Sequence, residues 1–185
     1  MAERISDWRF PYDDKYITGH YGTLSDYRKK NNMQPHSGTD WAKPLGTRIP
    51  AIAKGTIRLI QFSKVLGWVV VQTAMDKHGD IWYLGYCHMD QRPGYEVGQK
   101  ITKSQTIGVV GNTGQSSGPH LHATASKTLK GVFGPTAAKV DLYALIKENI
   151  KPKTAEQANQ ENKALVEQGK SKIVYACPHC KKELK

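Results

Sequence analysis

The chain has 185 residues, 38% of them hydrophobic, and 27 Lys and Arg against 16 Asp and Glu give a formal net charge of +11. That length suits one ordinary domain with an appendage, and the apolar share suffices for a packed core. No run of about 18 apolar residues occurs and MAERISDWRF lacks the apolar stretch of a secretory signal, so synthesis in the cytoplasm without a signal peptide, and no membrane insertion, are expected.

In chain order, the first chemistry-bearing stretch is PHSGTDWAKPLGTRIPAIAKG, residues 35–55. His36 and Asp40 are four apart, a spacing that would share a helical face. Pro35, Gly38 and Pro44 argue against a helix, and a loop running into a strand is the better reading. A His and a carboxylate form a weak metal signal by themselves.

Four segments then read as strands: GTIRLIQF (55–62), GWVVVQT (67–73), DIWYLGYCHM (80–89) and TIGVV (106–110). They are rich in Val, Ile, Trp and Tyr and separated by Gly, Asp and Lys, which predicts an antiparallel β core. His88 stands at the end of the third. His78, in the DKHGD turn, reads as a solvated loop residue.

The stretch GNTGQSSGPHLHATA, residues 111–125, places His120 and His122 behind a Gly-Pro turn. It predicts the start of a strand on which the two imidazoles share a face, about 6 to 7 Å apart, while Leu121 points to the opposite side. A solvated pair of polar residues is the plain alternative. A metal ligand beside a catalytic neighbour is the chemical one.

DLYALIKENI (141–150) predicts a helix with Asp141 as its cap and Leu142, Leu145 and Ile146 on one face, Ile150 being a further candidate. After Lys151-Pro152 the composition shifts. TAEQANQENKALVEQG is helix-favouring but polar nearly all round, with Thr154 and Gln157 in capping-box spacing. The expected organisation is a domain over 1–150, a polar helical linker over 151–172, and a tail over 173–185 carrying Cys177 and Cys180.

The charge favours a polyanionic partner: nucleic acid, anionic lipid or the phosphate-rich polymers of a bacterial wall. No aromatic-and-basic recognition motif accompanies it, so nucleic acid is the minor reading.

Taken together, HSGTD, YCHM and SSGPHLH occur in the order and glycine-rich context of the lysostaphin-type, or LytM-like, zinc endopeptidases, which the chain resembles over roughly residues 17 to 146. ITGHYGT, DWAKPLGTRIPAIAKGTI and VGQKITKSQTIGVVGNTG look like the same family's framework. The resemblance implies a mainly β fold with an antiparallel sheet core, and hydrolysis of peptide bonds in the stem or cross-bridge of peptidoglycan. It implies zinc held by His36, Asp40 and His122, with His88 and His120 as catalytic histidines off the metal. Three N and O ligands leave a fourth zinc position for water, whose pKa the metal lowers towards about 7. One free imidazole would then take a proton, and the other would stabilise the oxyanion or protonate the leaving amine.

Ala123 and Thr124 depart from the family, which often has an aromatic residue and Glu there, and a smaller groove wall is expected. His20, in ITGHYG, lines the groove at best. A self-contained chain without signal or pro-segment resembles a phage endolysin or virion-associated lysin, acting on peptidoglycan and anionic wall polymers after release.

CPHC, residues 177–180, is one knuckle of a zinc ribbon without its second pair. Free cysteines, a second zinc shared between chains in a zinc-bridged self-association, and a wall-binding or redox role all fit it. Two further function classes remain: a non-catalytic LytM-like scaffold that activates other hydrolases, and a basic nucleic-acid-binding zinc protein.

Overall fold

The computed structural model describes residues 7–150. The linker expected over 151–172 and the tail with Cys177 and Cys180 lie outside the described residues. Among the described residues, nine strands and three short α-helices follow in chain order, with 3-10 turns at Asp14–Tyr16 and Thr136–Ala138. The strands are β1 (Ile17–Gly19), β2 (Thr39–Ala42), β3 (Arg48–Pro50), β4 (Gly55–Ser63), β5 (Gly67–Met75), β6 (Ile81–Met89), β7 (Lys100–Ile101), β8 (Thr106–Val109) and β9 (His120–Ser126). The helices are α1 (Asp26–Lys30), α2 (Leu129–Phe133) and α3 (Leu142–Asn149).

Seven strands form one antiparallel sheet in the order β1-β2-β9-β6-β5-β4-β7, and β3 pairs with β8 separately. The mainly β, antiparallel expectation is met. β4, β5 and β6 are successive hairpin arms because β-branched and aromatic residues fill them and glycines turn the chain between them. Gly67 and Gly79 take positive φ at 65° and 90°, where a side chain would be strained. Ser63 Oγ accepts from the backbone N–H of Val65 and Leu66, closing the β4–β5 turn.

Alternation along the strands divides the sheet into two faces. One face buries Trp41, Leu121, Ala123, Ala125, Leu84, Tyr86 and Val70 with Trp8 and with Leu142, Leu145 and Ile146 of α3. Each large side chain buried there contributes about 1.5–3 kcal/mol. Asp141 caps α3 by accepting from the Ala144 N–H, as expected. Ile150 does not join the buried stripe. It follows the last helical turn in extended conformation and is exposed, and Asn149 takes the buried position, accepting from the Lys77 N–H.

The opposite face holds a small apolar cluster of Val69, Val71, Cys87 and Val132, and beside it the histidines. Register puts them together: β2 pairs with β9 so that Asp40 faces His122 and Ala42 faces His120, while β6 pairs Cys87 with His122. No described helix is long and apolar enough to cross a membrane.

Candidate active site

β2 supplies Asp40, the loop before it His36, β9 His120 and His122, and the end of β6 His88. All five expected site residues meet. His36 Nε2 lies 3.1 Å from Asp40 Oδ2 and 3.2 Å from His122 Nδ1, and His122 Nδ1 lies 2.7 Å from Asp40 Oδ1. The His88 ring centroid is 4.8 Å from that of His120 and 5.9 Å from that of His122. His120 Nε2 is 3.7 Å from Asp40 Oδ1. His36, His88 and His122 are each 5% exposed, whereas the side chains of His120 and Asp40 are 16% and 22% exposed, so the cluster opens on their side.

Backbone carbonyls orient three of the rings. His36 Nδ1–H donates to the His20 carbonyl at 3.0 Å, His88 Nδ1–H to Thr113 at 2.8 Å and His120 Nδ1–H to Gly118 at 2.8 Å. A carbonyl can only accept, so in the neutral imidazole the lone pair falls on Nε2 in each case. His122 is turned the other way, with Nδ1 towards Asp40 and a buried Nε2 that has no partner among the described residues.

This polarity tests whether the residues fit a metal. In neutral His36 the Nε2 lone pair faces a carboxylate oxygen, an acceptor against an acceptor, which only a proton or cation between them reconciles. His36, Asp40 and His122 each offer one ligand atom within 4.8 Å of the others. Two nitrogens and an oxygen about 3 Å apart suit zinc, since bonds of about 2.0–2.1 Å in a tetrahedron set ligand edges near 3.3 Å. The three residues fit. Glycines leave the room: a Cβ on Gly19 would approach Asp40 Oδ2 to 2.9 Å and His36 Cε1 to 3.1 Å, and one on Gly38 would come 2.8 Å from His122 Cε1.

Burial by itself would raise the Asp40 carboxyl, but hydrogen bonding and charge from His122 and His36 hold it far below the usual carboxylate range. Burial pushes His88 down to about 4, against the opposing pull of the Thr113 carbonyl, so it is neutral at physiological pH. Burial lowers His122 as well, opposed by Asp40.

The structure also reassigns minor expectations. His20 serves His36 through its carbonyl, and its ring packs edge-on to Tyr143 at 6.0 Å. His78 is exposed, as expected, with Nε2 3.3 Å from Glu148 Oε1. Ala123 lies in the core on the far face and Thr124 is fully buried, its hydroxyl donating to the Ser37 carbonyl. Neither lines an open wall, so the smaller groove expected from them does not follow. Sequence reading missed Thr113, Gly118, Gly19 and Gly38. The glycines stand in the quoted motifs, but nothing local marks a carbonyl as a histidine's partner.

The model of Peptidase family M23 matches residues 34–133, a stretch that contains all five residues. The peptidoglycan DD-endopeptidase ShyA of Vibrio cholerae is 33% identical over 116 residues, 62% of this chain, and this chain spans only 26% of that relative. The structure is similar to the catalytic domain of the prophage-encoded M23 protein EnpA from Enterococcus faecalis, at 30% identity and TM-score 0.55, covering 70% of this chain and 91% of that one. It is also similar to a zinc containing peptidase from Vibrio cholerae, at 25% identity and TM-score 0.57, covering 75% and 39%. With a family match over more than half its length and a histidine–aspartate cluster assembled inside that match, the chain belongs to peptidase family M23.

Proposed function

We propose that this chain is a zinc-dependent endopeptidase that hydrolyses peptide bonds in the stem or cross-bridge of peptidoglycan. The observation that carries the reading is the cluster's polarity: His36 and His122 nitrogens converge on Asp40, while His88 and His120 stand beside them with Nδ1 held by carbonyls and Nε2 unclaimed by any carbonyl among the described residues. ShyA, by its name a peptidoglycan DD-endopeptidase, supports the substrate class, and the zinc containing peptidase of Vibrio cholerae supports the metal.

In this reading His36, Asp40 and His122 hold the zinc. When bound, zinc supplies Lewis acidity to water and to the scissile carbonyl. Asp40, held ionised, provides the negative charge that keeps a cation there. His88, kept neutral by burial, has a lone pair ready to take a proton at neutral pH. His120, on the open side, meets the substrate, where an imidazole can hydrogen-bond the developing oxyanion or the leaving amine. The buried Val69, Val71 and Cys87 lie on the same face of the sheet, beside the site.

We further infer that residues 1–150 form the catalytic unit, that the net charge of +11 holds the protein on anionic wall polymers, and that it acts in phage-induced lysis. The prophage origin of the Enterococcus structure favours that last setting. The test is metal analysis of the purified chain beside digestion of sacculi of known bridge chemistry, with new amino termini read by mass spectrometry. About one zinc per chain and a single new terminus are expected. Zinc without cleavage would instead indicate a non-catalytic scaffold.

A further inference from the structure

His88 is one of three described non-glycine residues with positive φ, at 57°, a conformation that costs free energy unless its surroundings hold it. Three segments do so. The His88 N–H donates to the Leu66 carbonyl at 2.8 Å, fastening the residue to the β4–β5 turn. The Gln115 N–H donates to the Val65 carbonyl at 2.8 Å, fastening the same turn to the loop after β8. Thr113 in that loop touches all three segments. Its carbonyl accepts from His88 Nδ1–H, its hydroxyl donates to the Met89 carbonyl at 2.6 Å, and the same oxygen accepts from the Trp68 N–H at 3.0 Å.

The chemistry demands a group that donates and accepts at one atom. A hydroxyl does both; a methyl would take that partner from the Met89 carbonyl and the Trp68 N–H alike. Space is equally restricted, because a Cβ on Gly67 would overlap the Thr113 hydroxyl and carbonyl, and one on Gly114 would meet the Gly67 backbone. The hydroxyl therefore fixes where the Thr113 carbonyl points, and the carbonyl fixes which nitrogen of His88 carries the proton. We propose that Thr113 is a positioning residue for His88: its side-chain hydroxyl anchors the loop whose carbonyl sets the ring's orientation and its Nδ1–H tautomer. The turnover part rests on the hydrolase reading above; the tautomer part stands without it.

The test compares full-length wild type, Thr113→Val, Thr113→Ala and Thr113→Ser, each loaded with zinc. Readouts are the nitrogen NMR spectrum of His88, assigned by its loss in His88→Ala, zinc per chain, and kcat and KM on a soluble peptidoglycan fragment. Thr113→Val is expected to keep its zinc and a KM within about twofold, lose about 10- to 100-fold in kcat, and show His88 as a tautomer mixture. Thr113→Ser should restore the single Nδ1–H tautomer and most of the turnover. Thr113→Ala, which adds no methyl between Trp68 and Met89, should match Val. A single unchanged tautomer in both Val and Ala, or a Ser variant as mixed as Val, would overturn the proposal. Loss of the tautomer with every protein inactive, wild type included, would leave the positioning standing and remove the hydrolase reading.

Discussion

Two buried polar clusters lie on opposite faces of the same sheet and are satisfied in opposite ways. Behind it, the Tyr86 hydroxyl donates to Gln72 Oε1 at 2.7 Å and accepts from the Ile52 N–H at 3.0 Å, while Gln72 Nε2–H donates to the Ala53 carbonyl at 2.9 Å. Donors meet acceptors throughout that set, and burial pushes the Tyr86 phenol well above its ordinary value, so it stays neutral. In front, the His36 Nε2 lone pair faces a carboxylate oxygen, and His122 Nε2 is buried without a partner among the described residues. A polar cluster whose donors and acceptors match within the protein stabilises the fold, whereas one whose acceptors face one another is organised to hold a cation.

The strongest test of that contrast is to remove a histidine from the front. His122→Ala should lose tight zinc and activity together, since two protein ligands seldom retain a catalytic metal. His120→Ala and His88→Ala should keep about one zinc per chain and lose on the order of 10² to 10⁴ in turnover, the usual worth of a general acid or base. Zinc stoichiometry beside peptide turnover on the three variants reads this directly. Metal loss from His120→Ala with retention in His122→Ala would invert the assignment.

The back should respond in stability instead. Tyr86→Phe leaves Gln72 Oε1 and the Ile52 N–H unpaired in the core and should cost about 1–3 kcal/mol in denaturant unfolding. Turnover per folded molecule should hold. A Tyr86→Phe protein of wild-type stability would mean the two clusters do not differ as described.

Gly19→Ala tests the front without replacing a ligand. The added methyl presses on Asp40 and His36, so zinc affinity should fall about 10- to 100-fold in competition with a chelator, with the sheet intact by circular dichroism.

The smallest effect belongs to a third satisfied group, Asp76, which is 4% exposed. Burial acts to raise its carboxyl, but the Trp82 indole N–H at 2.8 Å and the Asp80 and His78 N–H groups, each at 2.9 Å, hold it below the ordinary value. A depressed folded pKa gives stability that is fully present above the unfolded value of about 3.9 and is lost as pH falls through the folded one. Asp76→Asn should therefore flatten the acid limb of the stability profile below about pH 4. An unchanged acid limb would remove Asp76 from the account.

Strand identities were legible because they are written locally. Residues 55–62, 67–73 and 80–89 alternate β-branched and aromatic side chains between glycines, and each lies within a strand or within one residue of it. The short pieces were not foreseen: β1 and β3 have three residues each and α1 and α2 five, too few for any periodicity to register. Asn149 was missed for a similar reason, because its burial depends on the Lys77 N–H, 72 positions away.

For the site, the chain by itself determined which side chains were available, and the two-residue period of a strand put His120 and His122 on one face with Leu121 behind them. The motifs' likeness to a known family supplied the roles. Only the tertiary structure decided how the rings are turned. Sheet register brings His122 beside Asp40 from 82 positions away, and carbonyls of His20, Thr113 and Gly118 settle which nitrogen of His36, His88 and His120 is bare. Those carbonyls belong to backbone every residue type shares, so no pattern of side chains could announce them; they become specific only when the folded sheet and its loops aim them at a ring.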